Sequence, residues 1–326
     1  MPDVADLPVV VGLGPVDPDL VGPVLGGHCR FVADPTDADL AQAQGAIARA
    51  DALVDHELLA RTPNLRVVAR TGVGVERVDL DAATARGIAV VITPGAGTTA
   101  VAEGAIAMAL HLVKRLGRLT TLVRSGHWEA RGSVSVGDLA GSVLGVVGYG
   151  RIGQRAAFLG TALGMKVLAY DPGSEPPAEV RGADLRDLVG RSDVITLHLP
   201  LLESTHHLVG PELLRHVKPG AILVNCGRGG LLDLDAAYAA LRDGRLGGVG
   251  LDVFDPEPPE HHPIFDHPDV VLTPHLMGLS RRGTAATFVD AAQGILDVLA
   301  GRKPAAVANP GWEQPATPTI TSLETT

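Results

Sequence analysis

Val143-Leu144-Gly145-Val146-Val147-Gly148-Tyr149-Gly150-Arg151-Ile152-Gly153 is the stretch that decides the fold. A short apolar strand runs into Gly-x-Gly-x-x-Gly, and an Ala-rich helical stretch continues to Leu163. The three glycines have separable tasks. Gly148 permits a tight turn, Gly150 lets the backbone approach a pyrophosphate, and Gly153 lets helix and strand lie close together. A pyrophosphate would then rest on the helix N-terminus, where Arg151 and Ile152 supply N–H groups. The next strand, 166–170, ends at Asp171. A carboxylate there accepts hydrogen bonds from a ribose diol and repels a 2′-phosphate, which favours NAD over NADP. FAD and S-adenosylmethionine use similar turns, so the rest of the chain must discriminate.

Outward from this unit, short β-branched runs alternate with Ala/Leu helical spacing in both directions. Strands are predicted at 143–147, 166–170, 194–198, 221–225, 249–252 and 270–273, with helices at 151–163, 205–215 and 235–243. An earlier series has strands at 9–11, 29–32, 45–48, 67–69 and 89–92, and helices at 36–44, 55–61 and 80–86. One long helix is predicted from Thr98 to Ser125, and a late one from Arg281 to Ala300. The fold class is therefore α/β, with two doubly wound parallel sheets. The late helix returns to the first domain, which makes that domain discontinuous: 1–98 with 285–326, around an inserted 99–284. The Pro/Thr-rich tail after Asn309 is predicted to fray.

Composition excludes several classes. The chain has 326 residues, 27 basic and 37 acidic, for a net charge of −10. That surplus disfavours nucleic acid, whose phosphates recruit Lys and Arg. At 46% hydrophobic and 20% charged residues the chain is too apolar for disorder. No apolar run is long enough to span a bilayer, and the acidic N-terminus is unlike a secretory leader, so a cytoplasmic protein is expected. Cys29 and Cys226 are the only cysteines, which leaves no disulfide framework and no cysteine zinc site. Glu260, His261, His262 and His267 read as a solvated Pro-rich loop, and no metal is expected. Only four of the basic residues are Lys, so an isolated Arg says little about anion binding.

Three segments follow buried strands and so reach the carboxyl edge of the second sheet, where such sheets bind ligands. They are 225–230 (NCGRGG), 251–258 (LDVFDPEP) and 273–278 (TPHLMG). Together they bring a guanidinium, a carboxylate and an imidazole to one edge. Oxidising a secondary alcohol by hydride transfer needs a base for the hydroxyl proton, and reduction needs the same group as an acid. A 2-hydroxy acid also suits a fork-shaped cation for its carboxylate. A surface Arg, a surface Glu and a structural His would read the same way in sequence.

These residues resemble the D-isomer-specific 2-hydroxyacid dehydrogenases, from about Gly45 to Asn309. The marks are RTGVGVERVDL (70–80), TTAVAE (98–103), LGVVGYGRIG (144–153), HLPL (198–201), NCGRGGLLD (225–233), LDVFDPEP (251–258) and TPHLMG (273–278). The similarity is greatest to 3-phosphoglycerate dehydrogenase-like members, and a member lacking their C-terminal regulatory domain is expected. The resemblance implies a flavodoxin-like substrate domain, a Rossmann NAD domain and a cleft between them. It assigns Arg228 to the substrate carboxylate, His275 to acid/base work, and Glu257 to a hydrogen bond with that histidine. Asp252 would hold the nicotinamide carboxamide. Pro200, Thr205, Cys226, Gly227 and Gly278 would add cofactor contacts. Val73 and Gly74 would cradle the carboxylate.

The resemblance also places Arg49 and Arg70 at the phosphate end of a dianionic substrate, with Arg131 a further cation. Arg70 is the better placed of the first two, directly before Gly72–Gly74. The expected activity is hydride transfer between NAD(H) and C2 of a small anionic D-2-hydroxy acid, in a homodimer. The phosphorylated or phosphonate-bearing acid is weighed against glyoxylate or hydroxypyruvate, and against a non-catalytic NAD-sensing regulator. Gly97 departs from the Asn common at its place, which removes one polar substrate contact.

Overall fold

The computed structural model describes residues 7–49, 51–182 and 184–313. Contacts divide the chain into two compact units: one runs up to Gly97 and resumes at Arg281, the other is Thr98–Ser280. The predicted frayed tail lies largely outside the described residues.

The first unit alternates β1 (Val9–Leu13), α1 (Pro18–Leu25), β2 (Arg30–Val32), α2 (Asp37–Gln42), β3 (Ala43–Ala48), α3 (His56–Arg61), β4 (Val67–Arg70), α4 (Leu80–Ala85) and β5 (Ala89–Val91). All pairs are parallel, in the order β2-β1-β3-β4-β5, the doubly wound flavodoxin arrangement. Asp17, Thr36, Asp55 and Asp79 each accept a first-turn amide and so start α1 to α4. The spacing read as one helix over 36–44 splits, because Thr36 is the cap and Ala43 already begins β3.

The second unit contains α5 (Thr98–Val113), α6 (Leu116–Arg124), β6 (Val143–Val147), α7 (Arg151–Ala162), β7 (Lys166–Tyr170), α8 (Leu185–Arg191), β8 (Val194–Leu197), α9 (Pro211–Leu214), β9 (Ala221–Asn225), α10 (Leu234–Arg242), β10 (Leu246–Leu251) and β11 (Val270–Leu272). Its parallel sheet has the order β11-β10-β9-β8-β6-β7. An isolated parallel bridge from Ala169 to Arg181 continues it beyond β7, a vestigial outer strand of the Rossmann order. Leu144, Val146, Ile222 and Val224 pack against α5 on one face, while Ile195, Leu197, Leu223 and Leu251 pack on the other. Burial on both faces explains why these strands read as continuous apolar runs.

Two helix predictions need correction. The single helix over 98–125 breaks at Arg115, which sits at φ +52 with its guanidinium on Asp269, 3.0 Å away. The helix over 205–215 is replaced by a 3₁₀ turn at Glu203–Thr205 and the four-residue α9. Between them, the N–H groups of His207 and Val209 donate to Gly230 and Leu231, so they cannot close helical turns.

The late helix, α11 (Arg281–Leu299), belongs to the first unit, burying Phe288, Ala291, Ala292 and Ile295 against Val10, Ile47 and Val67. The chain then returns to β5, where the buried Asn309 side chain accepts from Val90 N–H and donates to the Ile88 carbonyl. Among the described residues no helix is long and apolar enough to cross a membrane.

Candidate active site

The glycine turn is built as its sequence requires. Gly148 has φ +95, and a Cβ there would lie 2.7 Å from the His198 carbonyl carbon. A Cβ at Gly153 would fall 2.0 Å from the Gly148 carbonyl oxygen, so no side chain fits. Gly150 faces open space, a cradle that a Cβ would begin to fill. The first bond of α7 runs from Gln154 N to Gly150 O, so the N–H groups of Arg151 and Ile152 lie ahead of the helical ladder. Asp171 is held at the end of β7 by three amides. Its Oδ2 accepts from Tyr149 (2.7 Å) and its Oδ1 from Gly173 (2.8 Å) and Ser174 (3.1 Å). An open helix start, an unfilled glycine cradle and an oriented carboxylate fit a dinucleotide's pyrophosphate and ribose.

The three carboxyl-edge segments lock together. Asn225 donates its side-chain amide to the Arg228 carbonyl (2.9 Å) and accepts from Gly227 N–H (3.0 Å), which shapes the loop bearing Arg228. Arg228 Nη1 donates to the Gly227 carbonyl at 2.8 Å. A Cβ at Gly229 would lie 2.0 Å from the Phe254 carbonyl carbon, so this loop lies flat on the Phe254–Asp255 peptide. Phe254 N–H donates to Glu257 Oε1 (2.9 Å), and Glu257 Oε2 is 2.7 Å from His275 Nδ1. That contact puts the proton of a neutral His275 on Nδ1 and leaves Nε2 as the basic nitrogen. The imidazole is 48% exposed, open to a reacting partner. Its backbone sits at φ +53, uncommon for a residue with a Cβ.

Residues 106–277 match the family model "D-isomer specific 2-hydroxyacid dehydrogenase, NAD binding domain". The chain belongs to this family. Its nucleotide unit is an NAD-binding domain, and the family's members are oxidoreductases. The D-3-phosphoglycerate dehydrogenase of Methanocaldococcus jannaschii is 36% identical over 268 residues, covering 81% of this chain and 51% of the relative. The glyoxylate reductase of Thermococcus litoralis is 40% identical over 236 residues, covering 68% and 70%. The crystal structure of the TT0316 protein from Thermus thermophilus superposes with a TM-score of 0.81 at 36% identity, covering 92% of this chain and 99% of that one. The chain spans about half the length of the first phosphoglycerate dehydrogenases it matches.

Several of the residues that the resemblance assigned make contacts within the chain itself. Asp252 is 2% exposed, and its carboxylate accepts three hydrogen bonds from the loop that follows β11. Oδ1 accepts from Thr273 Oγ1 (2.6 Å) and Leu276 N–H (3.0 Å), Oδ2 from Met277 N–H (3.2 Å). Its main chain accepts His275 N–H at 2.8 Å. Asp252 therefore anchors the histidine loop. Thr205 is also buried, and its hydroxyl closes its own turn onto Pro200 O and Leu202 N–H, both at 2.8 Å. Burial pushes the Cys226 thiol up to about 12, with the Asp252 carboxylate adding, which keeps it protonated at neutral pH. Gly227 is buried beneath Leu199 and Leu231; Pro200 is exposed, and Gly278 is half-buried with only Val101 near its Cβ position.

In the first unit, the pairing of Ala48 with Arg70 sets Arg49 and Arg70 at neighbouring strand ends. Arg70, expected at the phosphate end of a substrate, is only 5% exposed. Its Nε donates to Gly74 O at 3.1 Å and its Nη1 to Arg49 O, so it braces the loop of Val73 and Gly74. Burial pulls its pKa below the usual guanidinium value, opposed by Glu76. Arg49 is half-buried with its guanidinium 5.3 Å from the Phe288 ring centroid. Arg131 packs on Trp128 in the same way. Sequence reasoning missed Gly229 and Tyr149 as site-shaping residues; the Gly pair after Arg228 was the available signal for the first.

Proposed function

We propose that this chain catalyses NAD-dependent hydride exchange at C2 of a D-2-hydroxy acid and its 2-oxo acid. The His275–Glu257 pair, on the same sheet edge as the glycine turn, carries this reading. Gly148, Gly150, Arg151 and Ile152 offer backbone to the pyrophosphate, Asp171 takes the ribose diol, and Pro200, Cys226, Gly227 and Gly278 line the remainder. Bound nicotinamide supplies or accepts the hydride. Arg228 grips the substrate carboxylate and polarises the C2 oxygen. During oxidation His275 Nε2 takes the hydroxyl proton, and Glu257 stabilises the resulting imidazolium; reduction returns the proton along the same path. Asp252 and Thr205 hold loops in place. A panel of 2-oxo acids with NADH tests this: His275→Ala should cost about 10²–10⁴ in kcat, the usual worth of a general acid. Retained turnover would refute the role. NAD binding without turnover on any 2-oxo acid would favour a sensing regulator.

The substrate we infer carries a second anionic group. Arg49 and Arg70 end adjacent strands, and relatives include D-3-phosphoglycerate dehydrogenases. Arg49 supplies the contact, with Arg70 bracing from behind. Arg49→Ala should raise KM for the phosphorylated three-carbon 2-oxo acid and leave glyoxylate unaffected. The commitment of Arg70 to the Gly74 and Arg49 carbonyls favours the rival reading, a glyoxylate or hydroxypyruvate reductase; equal effects on both substrates would establish it. We also propose a homodimer, supported by the exposed Leu116, Val123, Trp128 and Val136 around α6. Sedimentation at micromolar concentration checks it.

A further inference from the structure

Glu257 lies on a strand-free segment whose residues 255–261 are all exposed, yet its carboxylate is held 2.7 Å from His275. Phe254 N–H holds the near end, and the Phe254–Phe265 ring contact ties it to the turn that follows the segment, so that turn must itself be anchored. His262 has the geometry for it. Its Nδ1 accepts from Ile264 N–H at 3.1 Å, so in the neutral ring the proton is on Nε2. Nε2 lies 3.2 Å from Asp235 Oδ1, in the first turn of α10, and donates to it. The ring also stands edge-on to Tyr238 of α10, centroids 6.1 Å apart, and packs near Phe265 at 6.0 Å. One imidazole thus caps the 3₁₀ turn at Pro263–Asp266 and ties it to a helix of the nucleotide unit.

We infer that His262, through Asp235, is a positioning residue that keeps Glu257 aligned on His275. The inference rests on the proposed role of the Glu257–His275 pair. A misplacement of about 1 Å can cost up to about a hundredfold in rate.

The test is a double-mutant cycle on the full chain, with NADH and the best 2-oxo acid. His262→Ala should lower kcat about tenfold while the NADH dissociation constant stays within twofold. Asp235→Ala, at a carboxylate 97% exposed and so harmless to folding, should give a smaller loss of the same kind. In a Glu257→Gln background both losses should vanish, because the carboxylate they align is gone. Losses that persist undiminished in that background, or single variants within twofold of the parent, would overturn the inference. His262→Ala failing to fold would leave Asp235→Ala and its cycle to decide. Failure of the underlying reading is separate: Glu257→Gln would then itself be fully active.

Discussion

Replacing Asp252 by Asn separates its anchoring role from the nicotinamide contact that the family resemblance implied. The substitution keeps shape and removes one acceptor. With the amide oxygen at the Oδ1 position, the bonds from Thr273 and Leu276 survive, but the new NH₂ faces Met277 N–H, donor against donor. The opposite orientation sets the NH₂ against Leu276 N–H instead, so one buried amide is unsatisfied either way. An unsatisfied buried amide costs about 1–3 kcal/mol, and two charge-assisted bonds made neutral lose about 1 kcal/mol each. Relief of a buried charge offsets part of this, leaving about 2–3 kcal/mol. For a unit of this size, each kcal/mol shifts the melting temperature by about 2–4 °C, so a drop of about 5–10 °C is expected. His275, held at φ +53 by the same loop, should lose kcat as well. Calorimetry with and without NAD, alongside steady-state kinetics, reads both effects. An unchanged melting temperature with a raised KM for NADH would refute the anchoring account.

Burial pushes the His198 imidazole down from 6.5 to about 4, and its Nδ1 has no partner among the described residues. Above pH 6.5 the ring is neutral folded or unfolded and contributes nothing; between 6.5 and about 4 only the unfolded chain takes the proton. Stability should therefore fall by about 1.4 kcal/mol per pH unit across that window, and His198→Asn should flatten the slope in urea titrations. Gly153→Ala should abolish NADH binding, measured by fluorescence, because its methyl would overlap the Gly148 carbonyl. Arg70→Ala should destabilise the fold by about 1–3 kcal/mol, the cost of leaving the Gly74 and Arg49 carbonyls unsatisfied, and raise KM for all 2-oxo acids together. A KM effect confined to the phosphorylated substrate, at unchanged stability, would restore Arg70 as a direct ligand.

What was legible in the sequence was local. The glycine turn and strands β6 to β11 announce themselves because apolar runs and Gly spacing act within a dozen residues. The α5–α6 break was hidden, because Arg115 is held in its left-handed conformation by Asp269, far along the chain. The lost helix over 205–215 was hidden for the same reason, its amides being drawn to Gly230 and Leu231. Charge could be read at Arg70, but burial could not. Asp252 carried its acidity in plain view, while the amides that consume it lie on the 273–277 loop.

That loop shows why the site resists residue-by-residue assignment. Asp252 N–H donates to Asn225 O, Asp252 O accepts from His275 N–H, Gly229 lies on the Phe254–Asp255 peptide, and Phe254 N–H meets Glu257. The segments bearing Arg228, Glu257 and His275 are thus parts of one interlocked backbone. Moving one of them moves the others, so effects at Gly229, Asp252 and Glu257 should not add. A cycle pairing Gly229→Ala with Glu257→Gln measures this coupling directly. Combined losses well below the sum of the single ones are expected, and strict additivity would mean that the three segments act independently.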